Sequence, residues 1–303
     1  MKLISKINNI KEKISGKITF DENLSKHSWF NLGGPAKIIY RPDNLNELSF
    51  FLKEIKGLGE IRVIGAGSNT LFRDAGFDGV IIKLGKSFNH ISLLSEDTLI
   101  AGSSVLDKNL SNFALENSIS GFEFLSCIPG SVGGAIRMNS GCYENEVSKV
   151  LISVQTINLD GKTQIIKGTD INFFYRGNSL SRDLIFISAT FKGTVNKKKD
   201  IENKINNYVN RKKDSQPQNI KTCGSTFKNP ENNKAWKLIK ESGCAGMQIG
   251  QAAISTQHSN FFVNKGNANS NDLEKLIHEV QKKVLLEKGI KLELELQIVG
   301  KKV

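Results

Sequence analysis

The sequence predicts an α+β fold of mixed rather than regularly alternating order, and three observations predict it. Apolar residues recur at helical spacing at Leu48, Phe51, Leu52 and Ile55, and again at Leu273, Leu276, Ile277, Val280 and Val284. Asp160-Gly161, a strong hairpin signal, separates two strand-like runs, Val150 to Asn158 and Thr163 to Lys167. Ile290, Leu292, Leu294, Leu296 and Ile298 then alternate with Lys291, Glu293, Glu295 and Gln297, the pattern of a half-buried strand. No internal repeat and no regular strand–helix alternation accompanies them, which sets aside a doubly wound sheet. A chain of 303 residues exceeds what one core usually serves, so two or three domains are expected.

Each element has a local reason. Asn44 with Glu47 three residues on resembles a capping box, and Gly57 and Gly59 end the helix it opens. Glu60 to Ile64 reads as a strand running into Gly65, and Val80 to Ile82 as a second. Leu110 to Asn117 reads as a helix stopped near Gly121. Leu184 to Phe191 is a further strand. From Gly193 to Asp200 lysine, asparagine and threonine take over, so a domain boundary is placed there, followed by a polar helix over Ile201 to Lys213. Asn271, with Glu274 three residues later, is the expected cap of the last helix, and Gly289 its stop.

Composition narrows the function. A hydrophobic fraction of 39% and a charged fraction of 24% are ordinary for a globular protein. The apolar runs fall far short of the roughly 20 residues of a membrane span. Met1 to Phe20 alternates lysine with isoleucine and carries no secretory pattern, so a cytoplasmic location without membrane insertion is expected. Cys127, Cys142, Cys223 and Cys244 lack zinc-ligand spacing, and no metal is expected. The net charge of +12 raises nucleic acid as a partner. The lysines are scattered, however, and the clusters Lys197 to Lys199 and Arg211 to Lys213 have only Tyr208 near them. Attraction of an anionic nucleotide substrate fits the charge better, and no nucleic-acid partner is expected.

Two glycine-rich loops stand out: Gly65-Ala66-Gly67-Ser68-Asn69-Thr70 and Ile128-Pro129-Gly130-Ser131-Val132-Gly133-Gly134-Ala135. Such loops turn backbone N–H groups toward one point and suit a pyrophosphate. The first fails the Rossmann test, because Thr70 replaces the third glycine and Leu71 to Gly76 is too broken for a long helix. With Gly76-Phe77-Asp78-Gly79-Val80, His27 to Ala36 and the run Cys223-Gly224-Ser225-Thr226-Phe227-Lys228-Asn229-Pro230, the chain resembles the UDP-N-acetylenolpyruvoylglucosamine reductase family over about His27 to Gly300.

The resemblance implies a two-subdomain FAD-binding fold of the vanillyl-alcohol-oxidase type over 1–192, divided near 75. A C-terminal α+β substrate domain over 193–303 follows, its last strand returning toward the flavin. It implies FAD held by Gly65, Ala66, Gly67, Ser68, Asn69, Pro129, Gly130, Ser131, Gly133 and Gly134. It further implies NADPH as reductant, a UDP-sugar substrate with an enolpyruvyl double bond, hydride delivery from flavin N5 to the β-carbon, and a role in peptidoglycan precursor synthesis. Ser225 becomes the proton donor to the α-carbon, Arg176 the carboxylate clamp, Tyr175 and Asn229 substrate ligands and Glu295, chosen over Glu293, a catalytic carboxylate. Asn178 and Gln297 depart from the family pattern, and Ala245 and Gln248 lack cations that many relatives carry. No long insertion separates Leu184 from Gly193, so the chain resembles the shorter family branch, and a monomer is expected. His258 reads as structural. Two rivals stand beside this reading: another flavoenzyme of the same fold, and a non-catalytic nucleotide-binding protein.

Overall fold

The computed structural model describes residues 2–302. The chain forms two compact units, one of residues 1–20, 38–66 and 79–211, the other of residues 21–37, 67–78 and 212–303.

The first unit holds two cores that meet across one strand. In one core, the helix Lys2–Ile10 buries Leu3, Ile7 and Ile10, and the helix Leu45–Glu54 buries Leu48, Phe51 and Leu52. Asn44 caps the second helix as expected, its side chain accepting from the N–H of Glu47. Glu47 does not reciprocate; its carboxylate accepts instead from the N–H groups of Ser15 and Gly16 and from the Tyr40 hydroxyl. The sheet under these helices has the order Lys17–Asn23, Pro35–Arg41, Phe77–Ile82, Glu60–Val63, the last two parallel.

The other core sits on a five-stranded antiparallel sheet, ordered Thr163–Lys167, Leu151–Ile157, Ile185–Lys192, Thr98–Gly102, Ile91–Leu93. The Asp160-Gly161 turn forms as expected, with Gly161 left-handed at φ 71° and Asn158 Oδ1 accepting from the N–H groups of Asp160 and Lys162. Ile185–Lys192 explains its own unbroken apolar run. Ile185 and Ile187 pack into the first core while Phe186, Ala189 and Phe191 pack into the second, so both faces are covered. The helix Asp107–Glu116 begins three residues before the expected Leu110, with Asp107 buried in its first turn. The unit runs on to Arg211, past the boundary placed at Gly193, because Tyr208 packs in the second core from the helix Lys198–Ser215.

The second unit is built around the helix Ser270–Lys288, whose Leu273, Leu276, Ile277, Val280 and Val284 are all buried. Burial of each such side chain contributes about 1.5–3 kcal/mol. Asn269, not Asn271, caps it by accepting from the N–H of Asp272, and Gly289 ends it at φ 67°. Against it lie the helix Ala235–Glu241, the antiparallel sheet Gln248–Ile249, Ala252–Ile254, Phe262–Asn264, and the side chains of Phe30, Leu32 and Leu71. The strand expected over Ile290 to Ile298 shortens to Gln297–Val299, paired parallel with Thr70–Phe72. Leu292 and Leu296 are buried as the alternation requires, but 293–296 bonds to the 226–228 segment by isolated bridges rather than a full ladder.

Candidate active site

In the first unit Gly65, at the start of the first glycine loop, packs beside the second loop. A Cβ on Gly65 would lie 2.4 Å from Ser131 Oγ, and one on Gly130 would lie 2.4 Å from Asp107 Oδ2. Gly133 donates its N–H to Ser103 O at 2.9 Å, and a Cβ there would lie 3.0 Å from Ser103 Cβ. The close packing leaves no room for side chains in this turn and holds its backbone tightly. Pro129 and Gly134 are exposed, and Gly134 has only Ser131 Oγ near the place a Cβ would take.

Arg176 follows Tyr175 in a two-residue turn between Phe173–Phe174 and Gly177–Asn178. Arg176 itself is left-handed at φ 60°, a conformation that costs a non-glycine residue about 1–2 kcal/mol and that marks functional turns. Gly177 is fixed by space, since a Cβ would lie 2.2 Å from the Phe174 ring. The guanidinium lies against the Tyr175 ring at 4.9 Å and donates to Gly141 O at 3.2 Å.

In the second unit three predicted residues share one neighbourhood. The Asn69 side chain donates to Glu295 O at 3.0 Å, and Asn69 O accepts from the N–H of Gln297 at 3.1 Å. The N–H of Glu295 donates to Thr226 O, beside Ser225, at 2.9 Å. Across the other edge Ser225 bridges Phe261, and the N–H of Thr226 donates to Asn260 O. Asn260 is buried and clamps the same segment with its side chain, accepting from the N–H of Phe227 and donating to Phe227 O. Ser225 and Glu295 are half-buried while Thr226, Phe227 and Leu296 between and beside them are buried; Glu293 is exposed and pairs with Lys228. Gly224 turns left-handed at φ 76° just before Ser225, and Gly67 at φ 71° has His27 O 1.8 Å from any Cβ. Both positions therefore need glycine. Asn229 is exposed, and its Oδ1 accepts from the N–H of Ala235 at the start of Ala235–Glu241.

Asn260 and Asp107 are the residues that sequence reasoning did not single out. Nothing local to Asn260 announces its clamp, and Asp107 falls before the helix expected from Leu110. Both Asp107 carboxyl oxygens are buried with no hydrogen-bond partner among the described residues, and burial raises its pKa well above the usual carboxylate range. Burial likewise pushes the Cys223 thiol up to about 11, so it stays protonated beside the Ser225 turn. Burial lowers His258, which packs its ring on Phe261.

The loops suit an anionic dinucleotide cofactor. The N–H groups of Gly65 and Ala66 donate to no backbone acceptor among the described residues, and burial raises the pKa of the acid under Gly130. Residues 36–167 match the family model for an FAD binding domain, and residues 216–299 that for the C-terminal domain of UDP-N-acetylenolpyruvoylglucosamine reductase. The molecule is thus an oxidoreductase with an FAD-binding domain, and the expected fold is borne out. UDP-N-acetylenolpyruvoylglucosamine reductase of Pelagibacter ubique is 50% identical over 98% of this chain and 99% of its own. That of Rickettsia bellii is 41% identical over 95% of each. The crystal structure of the Thermus caldophilus reductase superposes with a TM-score of 0.82 at 30% identity, over 94% of this chain and 99% of that one. The chain belongs to the UDP-N-acetylenolpyruvoylglucosamine reductase family. Among the described residues no cluster of His, Cys, Asp or Glu could hold a metal ion, and no helix is long and apolar enough to cross a membrane.

Proposed function

We propose that this protein reduces UDP-N-acetylglucosamine enolpyruvate to UDP-N-acetylmuramate with NADPH, as a cytoplasmic step of peptidoglycan precursor synthesis. The observation that carries the reading is the backbone clamp of the Ser225 segment between Asn260 and Glu295, tied to Asn69 of the glycine loop. A flavoenzyme that only oxidised a small alcohol has no need of a serine fixed in this way. FAD, when bound, supplies hydride transfer from NADPH to the enolpyruvyl β-carbon, and Gly65 to Asn69 with Pro129 to Gly134 are the residues that would hold it.

The chain's own residues then have separable tasks. Arg176 presents a planar fork of donors that matches the two oxygens of the substrate carboxylate and stabilises negative charge as it builds there. Its donation to Gly141 O fixes the plane of that fork. Ser225 delivers the proton to the α-carbon. A hydroxyl is a weak acid, so position matters more than acidity, and hydrogen bonds to its neighbours on both sides supply that position. Glu295 is assigned the second proton-handling group, its backbone fixed by Asn69 and Thr226. Asn229 is assigned as a substrate ligand, and its Oδ1 accepts from the N–H of Ala235. The net charge of +12 favours arrival of the anionic nucleotide. The test is anaerobic: the NADPH-reduced protein is mixed with UDP-N-acetylglucosamine enolpyruvate, and flavin reoxidation is followed with mass analysis of the product. Stoichiometric UDP-N-acetylmuramate is expected; reduced flavin that persists in excess substrate would sink the assignment.

A further inference from the structure

The Arg176 turn docks on a second unusual turn. Gly141–Cys142 and Asn145–Glu146 pair as a hairpin whose two-residue loop is Tyr143-Glu144. Such loops are ordinarily Asn-Gly or Gly-Gly, because both central positions are left-handed. Here Tyr143 stands at φ 51° and Glu144 at φ 66° with no glycine to relieve either. The surroundings impose the conformation. The Tyr143 ring stacks on Tyr208 at 4.7 Å between centroids, and the Arg211 guanidinium lies 4.3 Å over the Tyr143 ring. The Tyr143 hydroxyl donates to Tyr208 O, Asn145 Nδ2 donates to Tyr143 O, and Lys149 Nζ donates to Glu144 O. Tyr208 and Arg211 both come from the helix Lys198–Ser215.

The arginine turn is fastened to the base of this hairpin. Arg176 donates to Gly141 O, Asn139 Nδ2 donates to Phe174 O, and Asn178 Nδ2 donates to Ile136 O and Arg137 O. Gly141 is closely packed, a Cβ there lying 2.2 Å from Asn145 O. A strained turn that persists only because its surroundings over-determine it is a feature of functional positions. We infer that Tyr143, gripped by Tyr208 and Arg211, is a positioning residue for Arg176: the stack on the helix Lys198–Ser215 fixes the hairpin whose Gly141 carbonyl aims the guanidinium. The inference rests on the reading of Arg176 as the substrate-carboxylate clamp.

The experiment compares the holoenzyme with Tyr143→Ala, Tyr143→Phe, Arg211→Ala and Arg176→Lys, measuring FAD content, flavin reduction by NADPH, and KM and reoxidation rate with UDP-N-acetylglucosamine enolpyruvate. Tyr143→Ala should keep its FAD and its reduction by NADPH, yet raise KM for the enolpyruvyl substrate about tenfold and slow reoxidation. Tyr143→Phe, which keeps the ring, should restore both. In combination with Arg176→Lys, Tyr143→Ala should add less than its separate effect, because both act through one guanidinium. A KM and a reoxidation rate unchanged in Tyr143→Ala, with Arg176→Lys impaired, overturn the inference and leave the Arg176 reading standing. An Arg176→Lys enzyme with normal reoxidation overturns both. If Tyr143→Ala loses its flavin, exposed Arg211→Ala decides: a raised KM at unchanged melting temperature supports the stack's role, and an unchanged KM refutes it.

Discussion

Replacing Gly133 tests whether the second glycine loop holds the flavin. A Cβ at this position would lie 3.0 Å from Ser103 Cβ, 3.3 Å from Ser103 O and 3.8 Å from Phe186 Cβ. Carbon–carbon contacts are most favourable near 3.5–4.0 Å, so the first distance forces a shift of about half an ångström or more. The loop cannot give way freely, because the N–H of Gly133 is bonded to the same Ser103 carbonyl and Ser103 sits in the packed core of the first unit. Gly133→Ala adds one carbon at an overpacking cost of about 1–3 kcal/mol. The helix Val132–Met138 recovers about 1 kcal/mol of that through alanine's better propensity. Gly133→Val adds two further methyl groups and recovers less, so its net cost is on the order of 2–4 kcal/mol. If the loop is displaced by that much, FAD affinity should fall about 30-fold to 1,000-fold for valine and about 30-fold or less for alanine. The ratio of flavin to protein absorbance in purified protein, followed by FAD titration of the apoprotein, reads this directly; circular dichroism confirms that the chain is folded. A folded valine variant with stoichiometric FAD and unchanged affinity would refute the assignment of the loop.

Two further outcomes follow from features the chemistry does not use. Glu144→Gly relieves the exposed left-handed position at φ 66° and should stabilise the protein by about 1 kcal/mol, a rise of roughly 2 °C in melting temperature; an unchanged or lower melting temperature would show the turn unstrained. Asp107 binds its proton more tightly folded than unfolded, so its contribution to stability is complete below the ordinary value of 3.8 and is lost as pH rises from there toward the raised folded value. Asp107→Asn keeps the shape without the titration, and its stability should fall less between pH 4 and 7, by at most about 1.4 kcal/mol per pH unit; parallel curves for parent and variant in denaturant titrations across that range would contradict a raised pKa for Asp107.

What was legible in the sequence was what is local. The Asn44 cap, the Asp160-Gly161 turn, the stripe of the last helix and its Gly289 stop are each decided within a few residues, and each appears where expected. The glycine loops were legible as loops, and Gly65 packs close to Ser131 of the second. What failed depends on partners far along the chain. Alternation over Ile290 to Ile298 reports burial, which Leu292 and Leu296 obey, but strand length depends on a neighbour, and Thr70–Phe72 offers only three residues. Composition shifts near Gly193, and Tyr208, an isolated aromatic in the lysine-rich helix that follows, packs into the preceding core. Asp107, Asn260 and the Tyr143-Glu144 turn were invisible for the same reason, since ordinary residue types acquire their roles from burial and from contacts made at long range.

The central claim is that Ser225 donates the proton, and its hydroxyl is the group to remove. Ser225→Ala leaves the clamp by Asn260 and Glu295 intact, because those hydrogen bonds run through the backbone of Thr226 and Phe227. Folding, FAD content and oxidation of NADPH should therefore survive. Stopped-flow measurement of flavin reoxidation by UDP-N-acetylglucosamine enolpyruvate should show net turnover lowered by roughly 10²–10⁴, the contribution of a positioned acid, with partial recovery in Ser225→Cys. Near-normal reoxidation with near-normal yield of UDP-N-acetylmuramate in the alanine variant would remove Ser225 from the mechanism.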